Sequence, residues 1–405
     1  MGQENIPSLR FSLFHDSWIK SKIKEIGKIK SGATPSRSKG AIYFTQTGGI
    51  PWLKTLDLTN GIIHSTSEAL TELGLEETSC SLLPKGTVLI AMYGGFNQIG
   101  RTGLLNFDAA INQAISGITL DTKKIIPQFL LAYLNHNVKK WRRVAASSRK
   151  DPNITKADVE NFVITHPSLL EQEKIANFLS DVDVKIENLA KQKECMQQYK
   201  KGCMQKLFSQ EIRFKDDDGN AFPDWEEKTV GDILTESKIK GSTGDNARKL
   251  TVKLWRNGVF AKNEVRAGSE NTQYYVRKKN QFIYSKLDFL NCAFGIIPEE
   301  LDGYESTVDL PCFEISPLAS PAFLLERISQ KNFYKKFGEK ADGSRKAKRI
   351  HAATFLEMPI QIPMLAEQEK ITNFLSDIDE KIDSLDKQLE AIKEFKKGLL
   401  QGMFV

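Results

Sequence analysis

Residues 171–208 read EQEKIANFLSDVDVKIENLAKQKECMQQYKKGCMQKLF, and residues 367–404 read EQEKITNFLSDIDEKIDSLDKQLEAIKEFKKGLLQGMF. At an offset of 196, 22 of these 38 positions are identical without a gap. The same offset reaches upstream. Lys139-Lys140-Trp141 aligns with Lys335-Lys336-Phe337, Ser148-Arg149-Lys150 with Ser344-Arg345-Lys346, Ile154 with Ile350, and Pro167 with Pro363. A shorter echo opens each half: Leu9-Arg10-Phe11 then Trp18, and Ile212-Arg213-Phe214 then Trp225. Between these bookends the halves diverge almost completely. A repeat of this length is too long for a solenoid unit and reads as a duplicated domain pair.

The repeated segment has the periodicity of a long helix. Steps of four and three from Ile175 give Leu179, Val182, Ile186, Leu189, Lys193, Met196, Lys200, Cys203 and Leu207. The second copy gives Ile371, Leu375, Ile378, Ile382, Leu385, Leu389, Ile392, Lys396, Leu399 and Met403. Apolar residues at this spacing over four to five heptads predict a coiled coil. Each helix would span roughly 57 Å at about 1.5 Å per residue. A narrow apolar seam needs a partner, and two equivalent units paired about a two-fold axis would run the helices antiparallel. The alternative is that each helix packs on its own globular insert. Ser168-x-x-Glu171 after Pro167 reads as a capping box; the second copy has Met364 instead of the serine and lacks it.

The inserts read as mixed α/β structure. Val88–Ala91 and Phe282–Tyr284 follow turn residues and read as strands; Pro127–Leu134 and Pro321–Ile328 read as helices with proline at the start. Residues 215–224, KDDDGNAFPD, are linker-like in composition. We therefore expect an α+β protein with a first domain over 1–166, a long helix over 167–208, a linker over 209–224, a second domain over 225–363 and a second long helix over 364–405.

Composition bounds the function. The chain has 405 residues, 40% of them hydrophobic and 27% charged, as in globular proteins. No apolar run exceeds the length of Val88–Tyr93, which is too short to cross a membrane. MGQENIPSLRF carries no apolar core, so we expect no signal peptide and a cytoplasmic protein. Five scattered cysteines with no CxxC pair read as reduced thiols. The net charge is +6, but the two repeated helices together carry −2, leaving +8 on the remainder. The positive charge lies in the divergent inserts, where phosphate contacts are expected.

Catalytic signatures are missing. The sequence has no GxxxxGK[ST], GxGxxG or HExxH, and we expect no cofactor or metal in this chain. Pro223-Asp224-Trp225-Glu226-Glu227-Lys228 resembles a nuclease string, but such a metal site needs carboxylates converging from separate strands.

The candidate contacts are basic and polar loops. The run 31–40 (SGATPSRSKG) offers Ser36, Arg37 and Lys39, and the run 49–54 (GIPWLK) offers Trp52 and Lys54. Hydroxyls and cations of this kind hold phosphates. Residues 93–101, YGGFNQIGR, offer Tyr93, Asn97, Gln98 and Arg101; Asn and Gln pair with adenine and Arg with guanine. The plainer reading is that these glycine-rich loops are turns and Trp52 is a core residue. Arg149 and Lys150 recur as Arg345, Lys346, Lys348 and Arg349 at the equivalent place. In the second insert Arg248, Lys253, Arg256 and Lys286 are the candidates.

The SGATPSR…GGIPWLKT and KGTVLIAMYG…IGR…INQAI runs, with EQEKI…FLSDxDxKI closing each half, resemble the specificity subunit of type I restriction–modification enzymes. The resemblance spans essentially the whole chain, although the second insert lacks the TPSR and IPW motifs. It implies two target-recognition domains held by an antiparallel coiled coil. Each would read one half of a bipartite, asymmetric sequence in double-stranded DNA. It implies two methyltransferase subunits and two restriction–translocation subunits as partners, which carry S-adenosylmethionine, ATP and Mg2+. This chain would then be non-catalytic. Three other readings stay open: a fused or stand-alone nuclease or methyltransferase, a coiled-coil scaffold that binds no DNA, and the specificity subunit of a related system that cuts on both sides of its site.

Overall fold

The computed structural model describes residues 6–95, 97–146, 153–262, 270–339 and 349–405. The chain divides into two compact units. Unit 1 joins residues 1–192 to 385–405, and unit 2 is 193–384. The long helices Leu169–Phe208 and Leu365–Met403 therefore each contribute to both.

In unit 1 a five-stranded sheet runs in the order Gly27–Ser31, Ile115–Leu120, Val88–Ala91, Thr102–Leu105, Ile62–Ile63. A four-stranded sheet holds Phe44–Thr45, Glu68–Leu70, Ile50–Leu53 and Ala110–Ile111. Helix Pro127–His136 lies over the first sheet, burying Phe129, Leu130, Tyr133 and Leu134. In unit 2 a four-stranded sheet runs Leu234–Ser237, Cys312–Ile315, Phe282–Tyr284, Phe294–Ile296, under helix Pro321–Ile328. A hairpin of Leu250–Val252 and Val259–Ala261 stands beside it. The architecture is the mixed α/β pair with two long helices that the repeat predicts.

The seam residues behave as their spacing demands. Every position of the two heptad series is buried or half-buried. In unit 1 the start of the first long helix lies beside the end of the second. Ile175, Leu179 and Val182 share a core with Leu399 and Met403. In unit 2 the end of the first lies beside the start of the second, with Leu207 and Phe208 in a core with Ile371 and Leu375. Within each unit the two helices run antiparallel, and they also rest on the globular part. Two seam positions are lysines, and both find carboxylates on the opposite helix. Lys396 pairs with Asp183 in unit 1, and Lys200 pairs with Asp379 at 2.6 Å in unit 2. The offset of 196 relates these two pairs, so the pseudo-symmetry extends to the charges.

The short echoes and the EQ motif form one device, built twice. Arg10 grips both oxygens of Glu171 at 2.7 Å each and donates to the Asp16 carbonyl at 2.6 Å. Glu171 is 1% exposed. It turns to Arg10 rather than back to Ser168, so the expected capping box gives way to a stronger, charged partner. Arg213 repeats this on Glu367 at 3.0 and 2.7 Å. Gln172 accepts from the Ile126 amide and donates to the Lys124 and Pro167 carbonyls. Gln368 likewise accepts from the Ser320 amide and donates to Leu318 and Pro363. Each glutamine thus ties the start of a long helix to the loop that opens a proline-initiated helix. Phe404 packs against Trp18 and Phe129, and its counterpart Phe208 against Trp225 and Phe323. The chain enters unit 1 past Gly402, where a Cβ would lie 2.9 Å from that of Leu9.

Candidate nucleic-acid interface

In unit 1 the loop 31–40 folds onto the four-stranded sheet. The Arg37 guanidinium lies 4.2 Å over the Phe44 ring and 5.3 Å from Trp52, a favourable cation–aromatic arrangement. It also pairs with Glu68 at 2.7 Å, and Lys54 takes the other oxygen of the same carboxylate. The Arg37 hydrogen bond, then that of Lys54, holds Glu68 below the usual carboxylate range against its burial. Three expected contacts thus reduce to one cluster with a net charge of +1. Lys39 donates to the Tyr43 hydroxyl, which reaches Glu77. Ser36 is exposed and bonds Ser38 at 2.8 Å. Trp52 corrects the expectation. It is 1% exposed and donates its indole N–H to the Ala33 carbonyl, so it is a core residue that props the loop from beneath.

The second loop shapes a cleft of about 380 Å³. Asn97, Ile99 and Arg101 line it, together with Asn60, Asn135, Arg142 and Lys396. Gly100 at φ +77° makes the turn, and a side chain there would crowd Trp141 and Val138. The asparagines are fixed from behind: Asn60 accepts from the Thr102 amide, and Asn135 bridges the Thr102 hydroxyl and the Asn60 carbonyl. Lys396 is held by Asp183. Arg101 and Arg142 line the same space with no carboxylate partner among the described residues. Tyr93 and Gln98 are half-buried beside the cleft rather than in its lining, and burial pushes the Tyr93 phenol up. Sequence reasoning missed Asn60, Asn135 and Arg142. Only Arg142 left a trace, in the basic stretch 138–146 (VKKWRRVAA).

In unit 2 the candidates scatter. Arg256 donates both terminal nitrogens to Glu326 at 2.7 and 2.6 Å. Burial depresses this guanidinium, but the Glu326 pairing outweighs it and raises it. Its charge is committed to the helix Pro321–Ile328, so Arg256 is corrected from a contact to an anchor. Arg248 is exposed and stacks 4.2 Å over Tyr304; Lys253 is exposed. Lys286 and Arg349 come together: the Lys286 carbonyl accepts from the Ile350 amide, and Arg349 reaches Asp309 at 3.7 Å. Arg149, Lys150, Arg345, Lys346 and Lys348 lie outside the described residues. Glu226 and Lys228 pair with each other on a strand that runs antiparallel to Pro359–Ile362.

Residues 15–197 and 223–394 match the type I restriction modification DNA specificity domain. The chain belongs to the type I restriction–modification specificity family. One relative is the type I restriction enzyme MjaIX specificity subunit of Methanocaldococcus jannaschii. It is 28% identical over 241 residues, covering 57% of this chain and 53% of the relative. The match thus spans about half the length of that curated relative. The putative MjaX specificity subunit of the same organism is 22% identical across 98% of this chain and 95% of its own. Among solved structures, the S subunit of a type I restriction–modification system from M. genitalium has this fold. Its TM-score is 0.57 at 17% identity, with 99% of each chain covered. The family's two matched domains fall on the two inserts with their following helices, the frame that the repeat defines. No described helix is long and apolar enough to cross a membrane.

Proposed function

We propose that this chain is the specificity subunit of a type I restriction–modification complex in the cytoplasm. Each unit reads one half of a bipartite, asymmetric sequence in double-stranded DNA. One observation carries the reading: a single frame is built twice, to the level of Arg10/Arg213, Gln172/Gln368 and Phe404/Phe208, and carries two different inserts. Two different inserts imply two different half-sites. The cleft with Arg101 and Arg142 supports phosphate or guanine contact in unit 1.

The chain acts by positioning. Its long helices, 40 and 39 residues, set the unspecified gap between half-sites, which we place near one DNA turn of about 34 Å. Two methyltransferase and two restriction–translocation subunits bind to it. S-adenosylmethionine, ATP and Mg2+ act in those partners, and adenine methylation requires them to take the base out of the stack.

The test is a methylome. The chain is expressed with the methyltransferase subunit of its source in a host without adenine methylation, and N6-methyladenine is mapped. A two-part motif with a fixed gap supports the reading. A co-purifying complex that leaves the genome unmethylated overturns it in favour of a scaffold or a related double-cutting system.

A further inference from the structure

The hairpin of unit 2 carries a feature that sequence patterns do not mark. Between its strands, Trp255 and Arg256 both adopt left-handed backbone, at φ +57° and +59°. Non-glycine residues rarely take this conformation, and a bulky aromatic does so only where the surroundings over-determine it. The surroundings here do. Arg256 is pinned twice, its amide on the Cys292 carbonyl at 3.0 Å and its guanidinium on Glu326. The Asn257 amide and side chain both donate to the Leu254 carbonyl, and the Lys253 amide donates to Gly258.

The result of this anchoring is outward. Trp255 is 58% exposed, with Leu254 at 40% and Phe260 at 50% on the same hairpin. A strained backbone that buries its aromatic would be explained by packing. This one holds its aromatic in water, so packing does not account for it. The chemistry of the setting selects the occupant. Residues 246–263 hold five cations and no carboxylate. Of these, Lys253 is exposed next to the apolar tip, and Arg248 is exposed at the far end of the strand Leu250–Val252. An apolar wedge beside an exposed cation matches the step between stacked bases flanked by phosphates.

We propose that Trp255, with Leu254 beside it, contacts DNA in the second half-site by pressing on a base step, while Lys253 holds an adjacent phosphate. The inference rests on the reading of this chain as a DNA-specificity subunit and names a residue that reading leaves open. The contact explains the strain: the turn is held in an unfavourable conformation so that the indole is presented before DNA arrives.

The experiment uses the complex of the full chain with its methyltransferase subunit and a duplex carrying the mapped motif. 2-Aminopurine is placed at successive positions of each half-site. Trp255→Gly is expected to weaken binding about 10-fold, the scale of one lost aromatic–base contact. It should also abolish fluorescence enhancement at one step of the second half-site and leave the first half-site unchanged. Glycine accepts positive φ, so the melting temperature should hold or rise. Trp255→Phe should bind within about 3-fold of the wild type, because every aromatic face can stack. Wild-type affinity in Trp255→Gly overturns the inference alone. So does a fall in melting temperature that accounts for the lost binding and that Trp255→Phe shares. A wild-type complex that binds no duplex overturns the parent reading itself.

Discussion

Removing Arg10 should unsettle unit 1 more than removing the glutamate it holds. The Glu171 side chain is 2% exposed and Arg10 11%. Arg10→Ala leaves a carboxylate buried with no counter-charge, which costs about 3–5 kcal/mol. Glu171→Ala leaves a guanidinium near the surface that keeps the Asp16 carbonyl and can turn to water, so its cost is smaller. For a unit of this size about 1 kcal/mol moves the melting temperature by roughly 2–4 °C. Arg10→Ala should therefore lower it by about 6–20 °C. The double substitution should cost less than Arg10→Ala, because nothing buried is then left charged. Scanning calorimetry of the four proteins completes the cycle. Arg213→Ala, on the equivalent Glu367, serves as the counterpart in unit 2. A shift below about 2 °C for Arg10→Ala, or strict additivity of the two single substitutions, would refute the argument that the pair locks the helix start.

Four further outcomes are expected. Gln172→Ala strands the Ile126 amide and should cost about 1–3 kcal/mol, read by the same calorimetry, with a similar loss for Gln368→Ala. His136 and His166 are both held below the ordinary histidine range by burial, His136 also by Lys140; a depressed histidine stabilises fully above its ordinary value and loses that as pH falls below it, so the unit 1 melting temperature should drop as pH falls below the ordinary histidine value. His166→Ile, the residue at the equivalent Ile362, should flatten that drop. Arg101→Ala with Arg142→Ala should reduce the slope of log affinity against log salt by about 1.8 if both hold phosphates, and an unchanged slope would place them off the DNA. Exchanging residues 19–140 for another insert should change one half-site in the methylome, and a change in both would refute the modular reading.

The helical frame was legible because its signal is local and periodic. The heptad series from Ile175 and Ile371 lands on buried positions throughout, and the two lysines that break it are answered by acids on the partner helix. The EQ motif was visible as a repeat but not as a device, since Arg10 lies 161 residues from Glu171. The candidate interface was legible in its charge and not in its geometry. Arg37 and Lys54 look free in sequence, yet both spend charge on Glu68, and Arg256 spends its own on Glu326. Such pairings join residues that only the sheets bring together. Trp52 and Trp255 invert each other for the same reason: burial depends on which side of a loop faces the core, and a backbone in the left-handed region carries no composition signal.

Phe404 has a consequence for synthesis. It sits among Trp18, Phe129 and Tyr133, residues made long before it. Unit 1 takes its closing segment from residues 385–405. At about 5–20 residues per second, the ribosome needs on the order of 10–40 s to travel from the end of the first segment to the last. During that interval the nascent first half exposes an aromatic socket and an unmatched helix seam, while unit 2, contiguous in sequence, can close as it emerges. The half made first is thus the half finished last, and the tens of seconds between are when chaperones would find it.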